Sequence, residues 1–405
     1  MTAEVAVMNA QGVAIAADSA VTITLDDNNS KTYYTSQKIF SLSKMHSVGI
    51  MIYSNAYFMG IDWEILIAEY NKAVGDRVFD TLEEYAKYFL AFLSNFIHIT
   101  DALQKECFGL ICKDYFDTIK QHYDKEILEN YKNKKITKAQ QNIILAEILK
   151  KIRVQLENDT YTTNCNNWDF ISPNESIIAE NYEKAFSDFN ITKKLKDEMW
   201  YLLMSDIDKL GVSSFLLENN TGIVFAGYGS KEIYPSVIEF SLFARLGNNV
   251  LHSDFNKSDM SESNAWINPY AQHDVINTFV RGIDPYLREG IEEEMEELMN
   301  KVIGIVGKNN KTKIDKLKKE FIEHIDEVIE EAYKGPIMRI VGSLPKSDLA
   351  EMAEALVNLT SLRRHMSTDR ETVGGPTDVA LITKMDGFVW IKKKQTIQSL
   401  QETKI

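Results

Sequence analysis

The chain has few cysteines, no long apolar run and no excess of positive charge, and each shortage closes off a class of protein. Cys107, Cys112 and Cys165 form neither an even disulfide set nor a metal-ligand spacing. They read as plain thiols in a reducing compartment. No run of about 18 apolar residues is present, so no membrane-spanning helix is expected. The start has no basic segment followed by an apolar one, so no signal peptide is expected, and the expected location is cytoplasmic. Lysine and arginine number 45 against 59 acidic residues, a net charge of -14. Phosphate binding needs a basic surface, which argues against a nucleic-acid partner. The seven histidines are dispersed, without His-x-x-x-His or Cys-x-x-Cys spacing, so no metal and no cofactor are expected. "GYGSKE" (Gly227–Glu232) lacks the Gly-Lys-Ser/Thr ending of a phosphate loop and reads as a turn. No internal repeat or low-complexity segment occurs.

What is present is globular. Hydrophobic residues make up 44% and charged residues 26% of 405 positions, enough for two or three domains or one domain with large insertions. Residues 3–9 and 13–17 read as two strands joined by a polar turn that contains Gly12. A polar stretch from Thr24 to Gln37 reads as a loop. "KIFSL" from Lys38 and "VGIMIY" from Val48 read as a further strand pair, so the first 54 or so residues suggest one small antiparallel sheet. Helical periodicity begins at Trp63, continues after a Thr81 N-cap, and dominates to about residue 210. "TGIVFAGYG" and "YPSVIEFSLFARL" are strands, and "DVINTFVRGI" is a helix. Two charged amphipathic helices follow. In the second, Ile314, Leu317, Phe321, Ile325 and Val328 share a face. Trp266 and Tyr270 read as aromatics of a loop–helix junction. A further helix is expected to start at Ser343, and "TDVALITKMDGFVWIKK" closes the chain as a hairpin around Asp386-Gly387. This order predicts an α+β protein with antiparallel sheets between helix layers.

The opening "MTAEVAVMNAQGVAIAADSA" carries the chemistry. Removal of Met1 is favoured before a small residue, and it would leave Thr2 with a hydroxyl and a free α-amine on one residue. The amine, with a reference pKa of about 7.7–8.0, can take the hydroxyl's proton. Asp18 ends the second strand, and Lys38 begins the third after the polar loop. A lysine near the amine would lower the amine's pKa by repulsion, and Asp18 would hold that lysine. Taken singly, the three also fit a chain end, a turn residue and a surface charge.

"TAEVAVMNAQGVAIAADSAVT", then "SQKIFSL", then "VGIMIYSNA" resembles the start of the proteasome β-subunit and HslV peptidase family. Thr2, Asp18 and Lys38 fall on that family's three motif positions. The Thr2–Asp18 spacing matches without a gap, and the step to Lys38 is a few residues longer. "DRETVGGPTDVALIT" resembles the family's Asp, Gly-Gly and final strand. The resemblance covers about residues 2–75, 212–285 and 335–392. It implies an N-terminal-nucleophile (Ntn) hydrolase fold, a four-layer αββα sandwich. The core would be 2–79, 211–286 and 336–395, with helical insertions at 80–210 and 287–335.

The resemblance also implies roles. Thr2 would be the nucleophile, its amine the base, Lys38 the tuning charge and Asp18 its anchor. Where the family usually has an oxyanion-binding glycine, this chain has Ser54, whose backbone N–H would serve. The family's Ser-Gly pair has no clear counterpart; Ser261 and Ser263 are candidates. Asp369 and Thr372 are candidates before Gly374-Gly375, displaced by one residue. The reaction implied is amide hydrolysis by a threonine-type peptidase. Peptide or protein would be the substrate, the chain a homo-oligomer, and a separate AAA+ ATPase a partner that feeds it. The insertions are larger than usual and weigh against the standard stacked rings. Two other functions fit the same residues: an amidase for a small molecule or dedicated peptide, and a silent scaffold that binds a protein partner.

Overall fold

The computed structural model describes residues 2–26, 29–42, 46–131, 136–158, 167–209, 219–367 and 373–394. It is an α+β protein built on antiparallel sheets. Strands β1 (Ala3–Asn9) and β2 (Gly12–Ala17) form the predicted hairpin. Asn9 shapes its turn by accepting the Gln11 N–H. Its amide nitrogen donates to the carbonyls of Val341 and Leu344, which ties the turn to the helices beyond. Gly12 is needed for a different reason from a turn. A Cβ there would meet the Ile382 carbonyl oxygen at 2.8 Å, so only glycine lets the next strand close in.

The hairpin sits in a five-stranded sheet of order β13-β1-β2-β14-β15, with β13 (Ala265–Ala271), β14 (Asp378–Thr383) and β15 (Gly387–Lys392). Trp266 and Tyr270 therefore lie on a strand, not at a loop–helix junction. Pro269 conceals that strand in the sequence, and β13 is an edge strand, where proline is tolerated. The second sheet runs β11-β10-β9-β6-β5, with β5 (Ile39–Ser41), β6 (Val48–Ser54), β9 (Thr221–Gly227), β10 (Ser236–Leu246) and β11 (Asn249–His252). The first 54 residues thus feed two sheets rather than one. The polar stretch 24–37 is not all loop: β3 (Val21–Asp26) and β4 (Asn29–Tyr33) pair there. Two short strands, β7 (Tyr57–Phe58) and β8 (Ile61–Asp62), pair before the helices, and β12 (Asn256–Asp259) pairs with β10.

Alternation along the strands explains the packing. Ala6, Met8, Val13, Ile15 and Ile382 of the first sheet meet Ile39, Met51, Val224 and Val237 of the second. The other face of the first sheet, with Val5, Val7, Ala14 and Ala16, packs on α12 (Lys346–His365) through Leu349, Ala353 and Val357. The other face of the second sheet, with Ile50, Ile223 and Phe225, packs on α1 (Trp63–Val74) and α2 (Leu82–Ser94). Both faces of the central strands are buried, so they read as continuous apolar runs. Thr81 starts α2 as the expected N-cap, and Glu84 completes a capping box with it. Ser343 does not start a helix. It ends α11 (Gly335–Ser343) and bonds back to Arg339 and Ile340, while Pro345 caps α12.

The large helical segment contains α3 (Asp101–Glu126), α4 (Lys138–Asn158), α5 (Trp168–Ile171), α6 (Glu175–Phe186) and α7 (Lys193–Lys209). Its own core includes Phe108, Phe116, Leu145 and Leu203, and it closes on Ala244, Leu246 and Leu251 at the β10–β11 edge. After β13 come α8 (Asp274–Arg281), α9 (Pro285–Val306) and α10 (Lys311–Ile329). Among the described residues, no helix is long and apolar enough to cross a membrane.

Candidate active site

Thr2 stands immediately before β1, and its carbonyl accepts the Gln272 N–H at 3.3 Å. Thr2 and Asp18 come together because the hairpin register pairs Glu4 with Ala17, at the open end away from the turn. Lys38 precedes β5 in the facing sheet, so its stem crosses between the sheets. Thr2, Asp18 and Lys38 are 6%, 2% and 4% exposed. Lys38 Nζ donates to Asp18 Oδ1 in a short contact. The same Asp18 oxygen accepts the Ala3 N–H at 3.2 Å. Asp18 Oδ2 accepts the Gly374 N–H at 2.8 Å. Three donors therefore fix this carboxylate. The neighbouring Gly375 has φ +79°, and a Cβ there would sit 2.6 Å from Ser19 Oγ and 2.8 Å from Tyr34 Cβ. The Gly-Gly pair lets the last loop reach Asp18.

A cavity of about 460 Å³ opens beside Thr2 and Lys38, lined also by Ser36, Tyr53, Ser54 and Tyr57. Ser54 ends β6 with φ +74°, in the left-handed region that non-glycine residues seldom enter. Strain of this kind persists where the surroundings impose it, often at functional sites. The Ile52 N–H bonds the Lys38 carbonyl at 2.9 Å. By the alternation of an antiparallel ladder, the Ser54 amide points to that same edge, beyond the start of β5. A second cavity of about 290 Å³ shares Asn55, Tyr57 and Asn219 with the first. Its far wall is Leu103, Cys107 and Leu110 of α3.

Several candidates lie elsewhere. Ser261 and Ser263 precede Ala265, which pairs with Asn9 at the opposite end of β1 from Thr2. The register carries them away: Ser261 Oγ bonds Asp259, and Ser263 Oγ bonds the Ala265 carbonyl. Asp369, Thr372 and Cys165 fall outside the described residues. Cys107 and Cys112 are free thiols, and burial raises the pKa of both, that of Cys107 to about 12. Among the described residues, no three His, Cys, Asp or Glu side chains could hold a metal ion.

Three parts of the site escape the motif reading. Glu4 is 0% exposed, and its Oε1 lies 3.1 Å from Lys38 Nζ. Tyr53 stacks on Tyr270 with ring centres 5.5 Å apart and donates its hydroxyl to Glu239. Lys394 lies 3.7 Å from Asp378 and bonds the Ser36 carbonyl. Burial lowers the pKa of Lys394. Glu4 had a signal. It is the one charge in a mostly apolar strand, "AEVAVMN", on the same face as Thr2, and a buried charge needs a partner.

No protein-family model matches the chain, and no curated protein matches it. Among solved structures it is similar to the Anbu (Gly-1) mutant from Hyphomicrobium sp. strain MC1. That likeness has 10% identity and a TM-score of 0.30, over 97% of this chain and 86% of that one.

Proposed function

We propose that this chain is an N-terminal threonine hydrolase that cleaves amide bonds, in the manner of the peptidase family its opening motif resembles. Whatever precedes Thr2, here Met1, is removed. Thr2 Oγ1 attacks the substrate carbonyl carbon, and the α-amine takes the hydroxyl proton. The tetrahedral oxyanion is held by backbone N–H groups near Ser54. Collapse expels the leaving amine, which takes the proton back, and water releases the acyl group from Thr2. Lys38 favours the neutral amine by repulsion, and Asp18 fixes Lys38.

One observation carries this reading. Lys38 bridges two buried carboxylates beside a buried threonine, at the wall of a cavity. Desolvating three such charges costs several kcal/mol per ion, roughly, and apolar residues would pack there as well or better. A buried charge cluster that opens on a cavity is a candidate site of chemistry. The positive φ at Ser54, where the family has glycine, also supports the reading. The apolar layers on both sides of the two sheets support an αββα sandwich, and α2, expected in the insertion at 80–210, packs in the layer on the second sheet. The two neighbouring cavities, which share Asn55, Tyr57 and Asn219, suit an extended peptide better than a compact small molecule.

The test joins mass to chemistry. Active protein should have a mass lacking Met1, and a peptide vinyl sulfone should label Thr2. Thr2→Ala should abolish labelling and turnover while costing about 1 kcal/mol or less in stability, because it removes few atoms at a strand end. Thr2→Ser should keep partial activity. A folded Thr2→Ala protein with full turnover would sink the proposal.

A further inference from the structure

Count the charges between the sheets near Thr2. Lys38 is one cation, and Glu4 and Asp18 are two carboxylates. Asp18 is satisfied by Lys38, Ala3 and Gly374. Glu4 is not: it lies 3.1 Å from Lys38 Nζ, yet neither of its oxygens accepts a well-aligned hydrogen bond among the described residues. The buried Thr2 hydroxyl, likewise without a well-aligned hydrogen bond among the described residues, lies close enough to favour the Glu4 anion. The other described groups facing Glu4 add no cation. Tyr270 pairs with it across β1 and β13, and Tyr53 comes from β6 with Glu239 behind it. Lys394, near Asp18 and Lys38, is paired with Asp378. Among the described residues the cluster is one positive charge short.

We propose that Glu4 shares one proton with the α-amine of Thr2, and so sets the pH at which that amine becomes a free base. This deepens the hydrolase reading and rests on it. When Glu4 is ionised, its charge holds the proton on the amine nitrogen. When the proton moves, an N–H bond breaks and an O–H bond forms on Glu4. The amine is then neutral and can accept the Thr2 hydroxyl proton. Glu4 acts through the amine, so it is a positioning residue for the proton rather than a nucleophile or base. Burial pushes the Glu4 carboxyl up to about 7, near the amine's own range, against the attraction of Lys38, with a smaller push from Asp18 in the same direction as burial.

The experiment measures the rate at which the peptide vinyl sulfone labels Thr2 between pH 5 and 9. Glu4→Gln removes the anion and keeps the shape. Its acid limb should move down by about one pH unit, so labelling below the midpoint should be about tenfold faster than in wild type. A limb that stays within about 0.2 unit overturns the proposal, since a purely structural Glu4 would lower the rate evenly at every pH. Should Glu4→Gln fail to fold, carbon-13 carboxyl NMR of the unmutated protein decides the matter. A Glu4 midpoint near neutrality supports the assignment, and an ordinary carboxylate midpoint refutes it. Wild-type protein that is unlabelled at every pH overturns the hydrolase reading instead, and the carboxyl titration still reads Glu4 separately.

Discussion

Asp18 shows how much one side chain can be asked to do. Oδ1 takes Lys38 and the Ala3 N–H, and Oδ2 takes the Gly374 N–H. Each donor comes from a different part of the chain, so Asp18 joins the start of β1, the entry to β5 and the loop before β14. Asp18→Asn replaces one acceptor by an NH₂ that faces a donor in either orientation. It should cost roughly 1–3 kcal/mol in denaturant melts, the usual cost of a buried donor left unpaired. The same change should lower turnover through Lys38, and its effect should not add to that of Lys38→Ala, because the groups work as a unit. An unchanged melt would mean that the Gly374 contact carries no weight. Glu4 gives a pH counterpart. Its folded-state carboxyl is raised, so the folded chain holds a proton that the unfolded chain loses above about 4.5. Stability should therefore fall as pH rises from about 4.5 to 7, and Glu4→Gln should flatten that fall in a series of melting curves.

At the scale of elements, α3 is what makes this site particular. Its first turns bring Leu103, Cys107 and Leu110 to the second cavity, which shares three residues with the one at Thr2. The helix is held there by its own core, from Phe108 to Ile119, so the wall is rigid. An apolar substrate side chain would find Phe58, Met59 and Phe243 on the other side. Leu110 is 43% exposed, so a change there should not unfold the chain. Leu110→Asp should raise KM about tenfold for peptides with an apolar side chain at the position that enters this groove, and leave kcat nearly unchanged. That corresponds to roughly 1.4 kcal/mol, less than one fully buried leucine side chain. Kinetics on a peptide panel check it, and an unchanged KM throughout would remove α3 from the binding surface.

At the scale of the whole molecule, the helices α9 and α10 stand apart from the sheets. The apolar stripe expected on α10 exists, but within a single chain only its first member, Ile314, is buried. Leu317, Phe321 and Val328 are 61%, 49% and 45% exposed. A stripe of this kind favours burial against another surface, and the occupant proposed is a second copy of the chain. Light scattering at micromolar concentration should then report an oligomer. Phe321→Glu should lower that mass toward the monomer while leaving the melting curve within about 0.5 kcal/mol. A monomeric wild-type protein would refute the assembly.

The local elements and the motif were legible because they depend on neighbours in sequence. Weak alternation marked β1, short apolar runs marked β2, β6 and β9, the 3.6-residue period marked α1 and α2, and Thr81 marked a helix start. Thr2, Asp18 and Lys38 stood at spacings that two hairpins could bring together. What stayed hidden depends on pairing between distant segments. Pro269 masked β13 until its place at a sheet edge made proline harmless, and register alone carried Ser261 and Ser263 to the wrong end of β1. The partition of the first 54 residues between two sheets came from apolar faces that can be buried only against each other. Glu4 was visible as a charge in an apolar strand, but its environment was not. Only the closing of the second sheet over the first removed water from Glu4 and, among the described residues, set Lys38 between two carboxylates.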